Sequence, residues 1–80
     1  MFDEVKDVVV ETLGIQDRAS AIDSSSPLLG SIPELDSMAV MEIVLAIEQR
    51  FNLVIDGTEI TGEIFETFGS LTKFVAEHRG

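Results

Sequence analysis

Three stretches of this chain hold residues of the types that do chemistry. The first is Asp36-Ser37-Met38, a carboxylate and a hydroxyl at the head of an apolar, helix-periodic run. Asp36 or Ser37 can cap a helix there, because a short side-chain oxygen accepts a hydrogen bond from a free N–H of the first turn. The second is His78, the single histidine. A nucleophile–base–orienter set would need it beside Ser37, but its place near the end of a terminal helix predicts a solvent-exposed residue instead. The third is Asn52 to Glu63, which resembles a calcium loop of the EF-hand type, with Asn52, Asp56, Gly57 and Glu63 in fitting places. Val54 falls where a carboxylate or amide is required, and Glu59 falls where an apolar residue is usual. No metal site and no catalytic residue is therefore expected. Acidic residues are plentiful, but on amphipathic helices they form the wet face, and there is no Gly-rich phosphate loop.

The elements that position these residues follow from periodicity. Phe2 to Leu13 reads as a first helix: Phe2, Val5, Val9 and Leu13 share a face, with Val8 beside it. Asp3 is a candidate cap and Gly14 a candidate stop, since glycine accepts a left-handed conformation without cost. Ile15 to Leu35 has no clean period and is punctuated by Ser, Pro and Gly, as loops are. Ile22, Leu28, Leu29, Ile32 and Leu35 are expected to pin this long loop onto the helices. The second helix is expected from about Ser37 to Arg50. Its core stripe is Val40, Ile43, Val44, Ile47 and Phe51, and a neighbouring stripe is Met38, Met41 and Leu45, with Glu42 and Glu48 nearby. After a turn at Asn52 and Gly57, in which Ile55 points inward, a short third helix is expected from about Glu59 to Glu66. Gly62 weakens it. Thr67 or Ser70 caps a last helix in which Phe68, Leu71, Phe74 and Val75 point one way. There is no strand signal.

Composition bounds the function. Eighty residues make one small domain with little room for a deep active site. Fifteen acidic residues against five basic ones give a formal net charge of −10. That argues against nucleic acid, whose phosphates need Lys and Arg, and favours partners with basic surfaces. A hydrophobic share of 45% is too high for a disordered acidic tail. With no cysteine there is no disulfide and no thiolate metal site. No apolar run is long enough to span a membrane, and the acidic start Met1-Phe2-Asp3-Glu4 lacks a signal region. A cytoplasmic monomer is expected.

Asp36-Ser37-Met38 opening the second of four helices resembles the mark of the carrier-protein family, the acyl and peptidyl carriers. The resemblance covers Val5 to Val75. It implies an all-α, four-helix bundle of the acyl-carrier type, with a long first loop and a short third helix, and a single carrier domain over residues 1–80. It implies a non-catalytic carrier whose serine, here Ser37, receives 4′-phosphopantetheine covalently from coenzyme A through a phosphopantetheinyl transferase. An acyl group then rides on the arm as a thioester and is presented to acyl-loading and acyl-using enzymes with basic docking patches. By the same resemblance Asp36 helps the modifying enzyme dock or hold its metal. Met38, Met41, Glu42, Leu45 and Glu48 match the partner-binding face. Val40, Val44, Ile47, Ile60 and Ile64 are candidates to line an acyl cleft, or equally to be core. Glu34 stands where many members have glycine, and Ala39 where an acidic residue is frequent. Leu35-Asp36-Ser37 also resembles aminoacyl and D-alanyl carriers. The stretches from Pro33 to Val40 and from Glu59 to Leu71 are similar to stand-alone carriers linked to bacterial exosortase and exopolysaccharide systems. The alternatives are an aminoacyl or peptidyl carrier, an unmodified acidic interaction module, and a calcium-binding protein.

Overall fold

Among the described residues of the computed structural model, three α-helices pack around an apolar core: α1 (Phe2–Leu13), α2 (Ser37–Phe51) and α3 (Phe68–Arg79). Residues 1–28 and 36–79 are described. The pinning roles expected of Leu29, Ile32 and Leu35 lie outside them.

Helix α1 has the expected bounds. Gly14 ends it at φ 69°, in the left-handed region that an L-residue with a Cβ rarely adopts. Asp3 is not its cap. The N-cap is Met1, which makes no side-chain bond, and Asp3 and Glu4 sit one turn in, where the helix dipole favours negative charge. Helix α1 packs against both α2 and α3 and gives Val5, Val8 and Val9 to the core. From α2 come Ile43, Val44 and Ile47, and from α3 come Phe68, Leu71 and Val75, all buried.

The first loop is pinned, as its apolar content requires. It opens with a short 3₁₀ helix, Gln16–Ala21, and buries Ile15 and Leu28. Its backbone then pairs with the start of α3. The Phe68 and Gly69 amides donate to the Ser26 and Ser24 carbonyls at 3.0 and 2.8 Å, and the Leu28 amide donates to the Glu66 carbonyl at 2.9 Å. Orphan donors of a helix N-terminus are thereby satisfied by a loop. Thr67 and Ser70 complete that end reciprocally. The Ser70 amide donates to Thr67 Oγ1, and the Thr67 amide to Ser70 Oγ, both at 3.0 Å.

The short third helix takes a tighter form than expected and begins earlier. Asp56 caps a 3₁₀ helix at Gly57–Glu59. Ile64, Phe65 and Glu66 then donate to the carbonyls three residues back, at Thr61, Gly62 and Glu63. Gly62 and two threonines give this segment little α-propensity, and 3₁₀ turns suit short pieces of this kind. Phe65 and Ile55 are nevertheless buried, so the segment closes one side of the core.

Candidate functional site

Ser37 is the first residue of α2 and is exposed. The sequence left open which of two residues caps this helix, and the structure assigns the role to Asp36. Its backbone is extended, and its Oδ1 accepts from the Ala39 amide at 2.8 Å, while its carbonyl accepts from Val40 at 3.0 Å. Asp36 thus fixes the first turn and leaves the Ser37 hydroxyl at the positive end of a fifteen-residue helix.

An apolar groove of about 380 Å³ opens beside this hydroxyl. It is lined by Asp36, Ser37, Val40, Ile60, Thr61, Gly62 and Phe65. Of the five residues considered for a cleft, Val40 and Ile60 line it. Val44 and Ile47 are buried in the core, and Ile64 packs against that core half-buried. Phe65, which sequence reasoning did not single out for a cleft, is the groove's aromatic lining residue. Its signal was a large apolar side chain directly after Ile64 in the expected third helix. Asp36, Ser37 and Thr61 are the polar residues that line it. An exposed hydroxyl at a helix N-terminus, next to an apolar trough, fits a phosphodiester-linked arm: the helix end favours the anion, and the trough shelters an apolar extension.

The second stripe of α2 is unburied. Met38, Met41 and Leu45 are 73%, 53% and 54% exposed. A loop containing Leu28 and Leu29 could have covered this stripe, but the stripe's three residues are exposed and Leu28 is buried in the core; Leu29 lies outside the described residues. Glu42 is exposed on the same helix. Glu48 differs. It is half-buried, and its Oε2 accepts from the Ile55 amide at 2.7 Å.

His78 is bonded to groups other than Ser37. Its Nε2 is 2.8 Å from Glu59 Oε2, its Nδ1 is 3.0 Å from the Phe74 carbonyl, and its ring sits 4.2 Å from that of Phe74. It is therefore a partly sheltered, bonded residue rather than the exposed helix end expected, because Glu59 reaches it from the 3₁₀ segment. Both partners are acceptors. The Glu59 carboxylate, and after it the Phe74 carbonyl, hold the imidazole above its ordinary pKa. In the 52–63 loop, Asp56 is occupied by the amide and hydroxyl of Thr58, both at 2.9 Å, which hold its carboxyl below the usual range. Val54 is 86% exposed. The Asp56 carboxylate of this loop thus serves turn and cap bonds.

Comparison with known proteins returns one theme. A family model described as "Phosphopantetheine attachment site" matches residues 3–75. An acyl carrier protein of Campylobacter fetus subsp. fetus is 39% identical over 59 residues, covering 74% of this chain and 73% of its own. One of Campylobacter curvus is 39% identical over 61 residues, with the same coverage of 74% and 73%. The solution NMR structure of a holo acyl carrier protein from Nitrosomonas europaea superposes with a TM-score of 0.88 at 41% identity, covering 95% of this chain and 92% of that one.

Proposed function

Because this chain belongs to the acyl carrier protein family, we propose that Ser37 is the hydroxyl that bears its 4′-phosphopantetheine. The observation that carries the reading is the juxtaposition of an exposed Ser37, at the first position of α2, with the apolar groove of Val40, Ile60 and Phe65. The chain is a non-catalytic carrier. The arm's terminal thiol supplies the thioester linkage that a cysteine-free chain cannot.

The chain's own residues do the holding. Asp36 rigidifies the first turn, so that the serine is presented in one orientation to a phosphopantetheinyl transferase, and its carboxylate edge remains near any metal that enzyme brings. Val40, Ile60 and Phe65 offer apolar shelter to cargo attached nearby. Met38, Met41 and Leu45, flanked by Glu42, form the face on which acyl-handling enzymes dock. The apolar residues would hold the complex, and the acidic field of a chain with net charge −10 would steer basic partners toward it. Methionine suits a face that meets several enzymes, being soft and adaptable. Residues 1–80 act as one carrier domain. Among the described residues no helix is long and apolar enough to cross a membrane.

The reading is tested by loading. The protein is treated with a broad-range transferase and an acyl-coenzyme A, followed by intact mass measurement before and after hydroxylamine. One added acyl-phosphopantetheine that loses its acyl group to hydroxylamine supports the reading. No added mass on a folded chain contradicts it.

A further inference from the structure

Glu48 lies seven residues after Met41 and three after Leu45 on α2, so it continues their stripe toward the helix C-terminus. A carboxylate in the last turns of a helix faces the negative end of the dipole, which disfavours its charge. Its hydrogen bonds account for its presence better than its charge does. Asn52 ends α2 at φ 54°, in the left-handed region, and its amide donates to the Glu48 carbonyl. The Leu53 amide donates to the same carbonyl at 3.1 Å, and the Ile55 amide donates to the Glu48 carboxylate at 2.7 Å. One residue thus receives three amides of the chain reversal. Strand-like alternation across that reversal turns Ile55 inward, 8% exposed, and Val54 outward, 86% exposed. Glu42 is different: it is exposed, and its carboxylate has no partner among the described residues.

We infer that Glu48 is a positioning residue of the docking face: its carboxylate holds the loop leaving α2 against the end of the apolar stripe, and it acts as a hydrogen-bond acceptor rather than as a charge that meets the partner. The inference rests on the reading of α2 as the docking face. It separates two acidic residues that composition treats alike. Glu42 contributes charge, and its effect is screened by salt. Glu48 contributes geometry, and its effect is not.

The test uses the full chain as substrate of a phosphopantetheinyl transferase, in four forms: native, E42Q, E48Q and E48A. KM and kcat are measured at low and high sodium chloride, and hydrogen exchange of the Ile55 amide is followed by NMR. Glutamine keeps an acceptor for Ile55, so E48Q retains the native KM, its salt dependence and the Ile55 protection. E42Q raises KM severalfold at low salt, and high salt erases the difference. E48A speeds Ile55 exchange by about fivefold or more, as loss of one hydrogen bond would. It also raises KM with kcat unchanged, and high salt does not restore it. An E48Q variant that loses affinity in the same salt-dependent way as E42Q overturns the inference, as does native Ile55 protection in E48A. Should E48A fail to fold, E48Q against E42Q still decides. A native chain that no transferase modifies overturns the docking part together with the functional reading, while Ile55 exchange still decides whether Glu48 holds the loop.

Discussion

His78 Nε2 lies 2.8 Å from Glu59 Oε2, so the end of α3 is tied to the 3₁₀ helix that follows α2. The second ring nitrogen faces the Phe74 carbonyl at 3.0 Å, so only the imidazolium, with two N–H donors, satisfies both acceptors. The folded-state pKa is raised above the ordinary histidine value, first by Glu59 and then by Phe74.

A raised folded pKa means that the fold favours the protonated form. The stabilisation is therefore fully present below the unfolded-state value of about 6.5 and is lost as pH rises through the folded value. Melting temperature should fall between about pH 6 and pH 8. His78→Gln and Glu59→Gln should each flatten that fall. A native chain whose melting curve across this window matches that of His78→Gln would remove the pair from the stability account.

Gly69 should resist substitution. A Cβ there would stand 2.7 Å from the Ser24 carbonyl oxygen, a backbone atom that cannot swing away and that accepts the Gly69 amide at 2.8 Å. Alanine gains helix propensity of about 1 kcal/mol, but overpacking costs about 1–3 kcal/mol and weakens the bond that pins the first loop. Net destabilisation is expected, at about 4–8 °C in melting temperature per kcal/mol for a domain of this size. Gly57 is the control: a Cβ there meets nothing within 4 Å. Thermal melts of Gly69→Ala and Gly57→Ala check this, and equal melting temperatures would mean that the loop yields freely.

The two stripes of α2 should separate under mutation. Ile43 and Ile47 are 0% and 1% exposed, and truncation to alanine should cost about 2–5 kcal/mol. Met41 and Leu45 are more than half exposed, so Met41→Ala and Leu45→Ala should stay within about 0.5 kcal/mol of native stability yet slow transfer of phosphopantetheine. Denaturant unfolding together with transferase turnover reads both effects. Large losses of stability in the Met41 and Leu45 variants would place the stripe inside the fold.

Much of this architecture was legible in the chain because it is local. The bounds of α1, its glycine stop, the start of α2 and a cap at Thr67 or Ser70 all follow from residues within a turn of one another. The exposed stripe was legible because Met38, Met41 and Leu45 are offset from the core stripe by helical spacing. What escaped the sequence depends on long-range pairing. Glu59 reaches His78 across nineteen residues, so a residue expected in solvent is instead bonded. Glu48 resembled Glu42 until the chain reversal placed the Ile55 amide beside it. The groove was half legible: Val40 and Ile60 were among the candidates, but periodicity alone could not separate Val40 from Val44 and Ile47, which share its stripe on α2 and face the core. The third helix tightened into 3₁₀ turns because Gly62 and the neighbouring threonines support no α-helical run.

The account stands most directly on Ser37. Ser24 and Ser25 are also exposed hydroxyls, but they sit in a turn where Asp23 accepts from the Ser25 amide and hydroxyl at 2.9 and 2.7 Å, not at the head of a long helix beside an apolar groove. The deciding measurement is peptide mapping by mass spectrometry after treatment with coenzyme A and a broad-range transferase, on the native chain and on Ser37→Ala. Phosphopantetheine on Ser37 alone, with none on a folded Ser37→Ala chain, is the expected result. Modification at any other residue, or modification that persists in Ser37→Ala, would contradict the account.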